Sequence, residues 1–294
     1  MKFKFLIGCF ICLVFSFTTC DHLGLDTMLK KNNKKNNALP IEMVWIPAGT
    51  FTMGDDSDDS YYTYNSSPAH QVTLTKGFYM GKYPVTRGQY RAVMGNFHRY
   101  GDDDTAKGEK EEWRPVDVGW ANPILFCNKL SILEGLTPFY DVSYGGPDMH
   151  GNYYITQVQI ISGSTGYRLP TEAQWEYACR AGTTTAYNTG NSISNSLAWF
   201  NYDGNYKKNE NISSREVGLK LPNAWGLYDM HGNVWELCWD WLGDYTSEAK
   251  TDPIGETSYR GIRGGSFRSH SFDLRSSYRT YGSGYDIGFR VIRP

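Results

Sequence analysis

The chain is 294 residues long, 40% hydrophobic and 15% aromatic, with a net charge of −2. That length and apolar content support a sizeable core, in one large domain or two small ones, and the near-neutral charge gives no reason to expect nucleic acid or an acidic membrane surface as the main partner. With 22 Tyr, 9 Trp and 31 Gly, a loop-rich mixed fold is expected rather than a helical bundle.

Met1 to Thr19 has the pattern of a secretory signal: Lys2 and Lys4 at the start, then an apolar run from Phe5 to Phe17 too short to span a bilayer comfortably. Cys20 follows Phe17-Thr18-Thr19, which resembles a relaxed bacterial lipobox, so a lipid-anchored protein is expected; a plain secreted protein cut nearby is the alternative. Residues 20–40, with Leu29-Lys-Lys-Asn-Asn-Lys-Lys-Asn-Asn37, form a polar tether with nothing to bury. Acyl chains on Cys20 would hold such a protein to a bacterial membrane, with the cell surface as the expected location. Beyond Cys20 the cysteines are Cys127, Cys179 and Cys238, an odd set without Cys-x-x-Cys spacing. Buried free thiols are expected, and neither a disulfide framework nor a zinc site.

The folded part should begin near Pro40. Ile41 to Phe51 suggests a strand and turn. Asp55 to Asn65 is an acidic loop without the Gly and terminal Glu of an EF-hand, and His70 to Phe78 alternates as a strand. Three helices carry start and stop signals. Thr86 to Gln89 is a capping box ahead of Tyr90, Val93 and Met94, with Gly95 to end it. Asn122-Pro123 offers a cap and a first-turn proline before a helix ending at Gly135, and Thr171 to Gln174 is a second capping box before a helix closed by Gly182. Gly182 to Pro222 is a long polar loop, and a loop of that length is usually functional or held by local ties. Asn223 to Trp241, dense in Trp with Asp, Asn and Glu between, is expected to be a compact polar-aromatic core rather than a plain strand.

The tail is the most informative stretch. Arg260 to Ser266 looks like a strand entering a Gly264-Gly265 turn, and Ile287 to Val291 like a strand. Between them Arg268 to Asp286 has no periodicity and is rich in Tyr, Ser, Gly, Arg and Asp, the mix of a paratope. The bland alternative is an ordinary surface loop. Arg263, Arg275, Arg279 and Arg290 suit structural ties to carbonyls and carboxylates.

Ile46-Pro-Ala-Gly-Thr-Phe-Thr-Met-Gly54, Arg168-Leu-Pro-Thr-Glu-Ala-Gln-Trp-Glu-Tyr-Ala178, Gly226-Leu-Tyr-Asp-Met-His-Gly-Asn-Val-Trp-Glu236, Arg263-Gly-Gly-Ser266 and Ile287-Gly-Phe-Arg290 occur in this order. Together they resemble the formylglycine-generating enzyme (sulfatase-modifying factor) family over about residues 41 to 293. The resemblance implies an α+β, C-type-lectin-like fold, low in regular secondary structure, as one domain over residues 41–294. Enzymes of that family oxidise a sulfatase cysteine using copper held by two cysteines. Aligned from Gly264-Gly265-Ser266, those positions are Ser269 and Leu274 here, neither of which offers the thiolate that copper(I) prefers. The expectation is therefore no copper and no catalytic residue, with an oxidase of this family as the alternative function and a purely structural lipoprotein as a third.

Domains of this kind also resemble the variable proteins of diversity-generating retroelements, a treponemal lipoprotein among them, in which randomised codons precede a fixed Ile-Gly-Phe-Arg. Randomising the adenines of an AAC codon cannot yield Lys, Glu, Gln, Met or Trp, and Phe267 to Asp286 contains none of these. The resemblance implies a diversified patch, about residues 263–294, that binds a protein or glycan ligand through Arg268, Ser269, His270, Phe272, Asp273, Tyr278, Thr280, Tyr281, Ser283, Tyr285 and Asp286. It also implies a structural calcium ion on the carboxylates of Asp229 and Glu236 and the carbonyls of Gly232 and Val234, a set suited to a hard cation; the alternative is that the two acids only cap backbone groups.

Overall fold

The computed structural model describes residues 40–57, 65–95, 111–147, 153–201, 213–255 and 259–294. The expected signal, Cys20 and the tether up to residue 39 lie outside them. Residues Ala38–Pro294 form a compact unit, and no helix among the described residues is long and apolar enough to cross a membrane.

The first segment contains two strands, β1 (Met43–Ile46) and β2 (Gly49–Met53), with Pro47 and Ala48 between them. The expected strand from His70 to Phe78 is likewise two, β3 (His70–Leu74) and β4 (Phe78–Gly81). Helix α1 (Arg87–Met94) begins on the expected box: Thr86 accepts from the Gln89 N–H, and the Gln89 side chain accepts from the Thr86 N–H. Helix α2 (Ala121–Leu133) starts one residue before the expected cap. Trp120 is its N-cap without a side-chain bond, and Pro123 still falls in the first turn, where a missing N–H costs nothing.

Strands β5 (Tyr140–Pro147) and β6 (Tyr153–Ile160) form a hairpin. Helix α3 (Glu172–Arg180) has the second capping box on Thr171. It ends on Ala181 in the left-handed region, φ 47°, one residue ahead of the expected glycine. Then come β7 (Trp235–Trp241), β8 (Lys250–Thr251), β9 (Arg260–Arg263), β10 (Arg279–Thr280), β11 (Ile287–Phe289) and β12 (Ile292–Arg293).

The Trp-rich segment expected to lack a plain strand is corrected in its second half. β7 is a central strand of the sheet β10-β9-β7-β11, antiparallel to β9 and parallel to β11. Its period of two separates Trp235, Trp239 and Trp241, half-buried on one face, from Glu236, Cys238 and Asp240, buried on the other. The mixture of types that obscured the strand is two faces read as one line.

β4 is flanked by β1 and β12, so the first and last strands of the fold share one partner. One core group stacks Tyr90 on Phe126 at 5.6 Å, with Phe289 edge-on to Phe126 at 5.2 Å; the other gathers Phe78, Met80 and Trp175. Cys127, Cys179 and Cys238 are free and buried, on α2, α3 and β7.

Candidate functional site

Both ends of the tail segment are fixed to the body by buried charge. Arg263, at the end of β9, is fully buried. Its Nε donates to Glu172 Oε1 at 2.9 Å, its Nη1 to Glu176 Oε2 at 3.0 Å and to the Ser276 and Ser277 carbonyls, and its Nη2 to the Tyr245 hydroxyl at 2.8 Å. Arg279 donates through Nε to the same Glu172 oxygen at 3.0 Å and through Nη2 to the other. Burial alone would push the Glu172 carboxyl up, yet Arg263 and Arg279 hold it below the usual carboxylate range. Arg290 forms a fork with Glu236 (2.8 and 3.0 Å) and donates to the carbonyls of Gly81, Lys82 and Tyr228. The structural role expected for Arg263, Arg279 and Arg290 is thus what the geometry gives them. Arg275 is half-buried and lies beside the Tyr187 phenol.

The turn opening the segment requires its glycines. Gly264 and Gly265 have φ of +90° and +73°, and a Cβ on Gly265 would sit 2.6 Å from Leu274 Cδ1. From there the chain passes through a short 3-10 turn (Ser271–Leu274) and β10 before rejoining β7 along β11.

The eleven expected contact residues divide. Arg268, Tyr281, Ser283 and Tyr285 are exposed; His270, Phe272, Asp273, Tyr278, Thr280 and Asp286 are half-buried. Ser269 is a correction: it is 7% exposed, its hydroxyl accepts the Ser266 N–H at 3.0 Å, and its carbonyl accepts the Asn201 N–H. Its side chain is buried and shapes the turn. Asp273 and Asp286 serve partly as scaffold, accepting from the His270 N–H and from the Ser266 hydroxyl.

The remaining side chains form two groups either side of β10. One is a run of rings, His270 on Phe272 at 5.5 Å, Phe272 to Tyr278 at 6.4 Å and Tyr278 to Trp235 at 6.0 Å. The other is Tyr281, stacked on Tyr259 at 4.4 Å, which with Gly282, Ser283 and Gly284 walls a groove of about 460 Å³. Trp120 and Arg260 also line that groove. Trp120, Trp235, Tyr259 and Arg260 lie outside the expected set. The alternation of Trp235, Trp239 and Trp241 is the signal that points to this face.

Leu274 is fully buried among Tyr187, Ala198 and Phe200, so side chains here are packed apolar on one side. Its carbonyl meets His231 Nδ1 at 2.6 Å, and His231 Nε2 accepts the Asn188 N–H at 3.2 Å, which makes Nδ1 the protonated nitrogen. Burial pushes His231 down to about 4, so it is neutral at ordinary pH. Cys179 Sγ lies 3.6 Å from Ser276 Oγ, and burial pushes that thiol up to about 12. Among the described residues no group of three or more His, Cys, Asp or Glu side chains is placed to hold a metal ion.

Of the residues expected to hold calcium, Asp229, Gly232 and Val234 precede β7 and Glu236 is its second residue. Asp229, at φ 54°, is buried; its Oδ2 accepts the Gly218 N–H at 2.7 Å, and among the described residues no cation pairs with it. Burial pushes its carboxyl up to about 6, with the Glu236 charge adding to the rise. Both Glu236 oxygens are engaged, by Arg290 and by the Trp175 indole N–H at 2.8 Å.

The chain matches the Sulfatase-modifying factor enzyme 1-like domain over residues 28–294. It is 32% identical over 272 residues to chaperone protein LppX of Paenibacillus barcinonensis, covering 84% of this chain and 92% of that one. It is 28% identical to the formylglycine-generating enzyme of Mus musculus, covering 85% and 74%. Among solved structures, Treponema denticola variable protein 1 superposes with a TM-score of 0.71 at 31% identity, covering 89% of this chain and 99% of that one. PvdO from Pseudomonas aeruginosa gives 0.63 at 26%, covering 85% and 93%.

Proposed function

The chain belongs to the sulfatase-modifying factor family and has its C-type-lectin-like α+β fold, and from that premise we propose that it is a ligand-binding protein without oxidase activity. The observation that carries the reading is the tail itself. A polar-aromatic segment without periodicity is held at both ends by buried Arg–Glu pairs, with Arg268, Tyr281, Ser283 and Tyr285 exposed between them. Rigid ends with adaptable Tyr, Ser and Gly between them suit recognition at low entropic cost. Likeness to a protein called variable protein 1 supports a diversified ligand surface, and a relative called LppX supports a lipoprotein.

The non-oxidase reading rests on sequence. No cysteine follows Cys238, and the positions aligned with the copper thiols are a turn-forming Ser269 and a packed Leu274. Incubation with a Cys-x-Pro-x-Arg peptide, copper and oxygen should leave the cysteine unchanged by mass spectrometry; formylglycine would overturn this. For diversification, the DNA beside the gene should hold a near-copy of the last part of the coding sequence, differing at adenines, close to a reverse transcriptase gene. Their absence would refute it. Palmitate labelling lost in Cys20→Ala tests the anchor, and protease shaving of intact cells tests surface display.

Calcium belongs to the same proposal. Asp229, a buried carboxylate that forms no ion pair among the described residues, fits a hard cation, whereas Glu236 has little lone-pair capacity left beyond Arg290 and Trp175. Asp229 and the carbonyls of Gly232 and Val234 would then carry most of the coordination, with Glu236 balancing charge. A bound ion would brace the turn leading into β7.

A further inference from the structure

Arg260 forms no ion pair among the described residues, although the Asp240 charge acts on it. Its guanidinium carbon lies 3.7 Å from the Trp241 ring, 4.4 Å from Trp120 and 4.5 Å from Trp239. Nη1 donates to the Trp239 carbonyl. Nε is buried with no acceptor, as is the Trp120 indole N–H. Among the described residues no carboxylate pairs with it and nothing accepts from Nη2. Burial pushes it down to about 10, the direction expected of a positive charge stripped of water and insufficiently repaid.

Arg260 and Trp120 line a groove of about 460 Å³ together with Tyr259 and Tyr281 to Gly284. Val118, Leu237 and Ile287 line the rest of it. The volume suits one or two residues' worth of ligand. An apolar cleft with one unpaired guanidinium calls for a ligand that is apolar with a carboxylate at its end. A polyhydroxylated sugar would find few acceptors for its hydroxyls in such a lining.

We propose that the groove is a carboxylate-anchoring subsite for the C-terminal residue of a peptide. The apolar side chain would lie between Trp120 and the Tyr259–Tyr281 pair, with the terminal carboxylate on Arg260. This rests on the display reading for one wall only, since Trp120, Tyr259 and Arg260 all precede the tail segment. The anchor belongs to the body and the selectivity to the tail, so a changed tail would alter which peptide end is preferred without losing the carboxylate requirement.

The test is titration of the full chain with Gly-Gly-Phe as free acid, as C-terminal amide, and with octanoate and N-acetylneuraminic acid as competing carboxylates, read by calorimetry. The free acid should bind about tenfold or more tighter than the amide, as a charge-assisted hydrogen bond warrants, and tighter than either other carboxylate. Arg260→Gln should abolish the acid-over-amide preference and Arg260→Lys should keep part of it, with circular dichroism confirming that each folds. Equal affinity for acid and amide, or no binding of the acid, overturns the proposal without touching the display reading, and so does tighter binding of octanoate or the sugar acid. The acid and amide arms use the unaltered protein, so the proposal stays refutable if Arg260→Gln does not fold. If Tyr281→Ala leaves acid binding intact while Arg260→Gln removes it, the anchor stands and the display reading of that wall falls.

Discussion

Replacing Arg263 with methionine tests whether buried charge holds the tail to the body. The side chain is fully buried and donates to five acceptors: two carboxylates, two carbonyls and a phenol. Breaking a buried ion pair by removing one partner costs about 3–5 kcal/mol, because the other charge is left uncompensated. Here neither acid is stranded: Glu172 keeps Arg279, and Glu176 keeps Arg180 at 2.8–2.9 Å. The charge term should therefore fall at the low end of that range. The Ser276 and Ser277 carbonyls and the Tyr245 hydroxyl lose a partner, adding about 1 kcal/mol or more in a dry interior. A total of about 4 kcal/mol, against the 5–15 kcal/mol typical of folded domains, leaves the protein folded but weakened. With a urea dependence of about 2–3 kcal/mol per molar, the unfolding midpoint followed by tryptophan fluorescence should drop by about 1–2 M. Limited proteolysis should cut between Arg268 and Asp286 before that midpoint, since the segment's first anchor is gone. A shift below about 0.3 M with unchanged proteolysis would show that the network does not hold the tail, and the reasoning would fail.

Phe289→Ala removes a fully buried ring packed edge-on to Phe126 and Tyr90, and should cost about 3–5 kcal/mol by chemical denaturation. A loss below about 1 kcal/mol would mean that β11 is not part of the core. Asp240 is pushed up to about 7 by burial, with the Glu172 charge adding to the rise. Its folded form thus holds a proton that the unfolded chain releases near pH 4, so stability should fall as pH rises from about 4 to 7, by at most about 4 kcal/mol. Asp240→Asn should flatten that part of the profile, and an unaltered slope would contradict the assignment. Glu172, held low, works in the opposite window, losing its stabilisation as pH falls below the usual carboxylate range. Chelation should lower the melting temperature if Asp229 holds calcium, and Asp229→Asn should abolish that response; an unchanged melting curve would count against calcium at this site.

The sequence discloses best what is encoded locally. Two capping boxes fixed the starts of α1 and α3 because Thr86 and Thr171 satisfy N–H groups three residues on, a relation that needs no tertiary partner. The roles of Arg263, Arg279 and Arg290 were legible because a guanidinium in a loop-rich, near-neutral chain is held most cheaply by carbonyls and carboxylates. What stayed hidden is what depends on strand faces and on residues far apart in the chain. The Trp and acid residues of β7 look like one mixed run until the pleat separates them. Glu236 then pairs with Arg290 and Asp240 accepts the Glu172 and Gly255 N–H groups, while Trp239 and Trp241 turn toward Arg260. Ser269 was misassigned for a related reason: a serine in a Ser-rich tail looks like a contact residue, and only the return of its hydroxyl to the Ser266 N–H makes it part of the turn.

The division between body and tail has a consequence for tolerance to change. A surface that varies can do so only if none of its variable side chains carries the fold. In this chain the folding load lies on Arg263, Arg279, Arg290, Phe289 and the Gly264-Gly265 turn, all flanking or interrupting the segment. Arg268, Tyr281, Ser283 and Tyr285, which are exposed, can change with effects of the few tenths of a kcal/mol usual at a surface. Asp273 and Asp286 are intermediate: each accepts a hydrogen bond that shapes the tail, from the His270 N–H and the Ser266 hydroxyl. Substitution there should therefore disturb local order, so a diversified patch would meet its structural limit at these two positions.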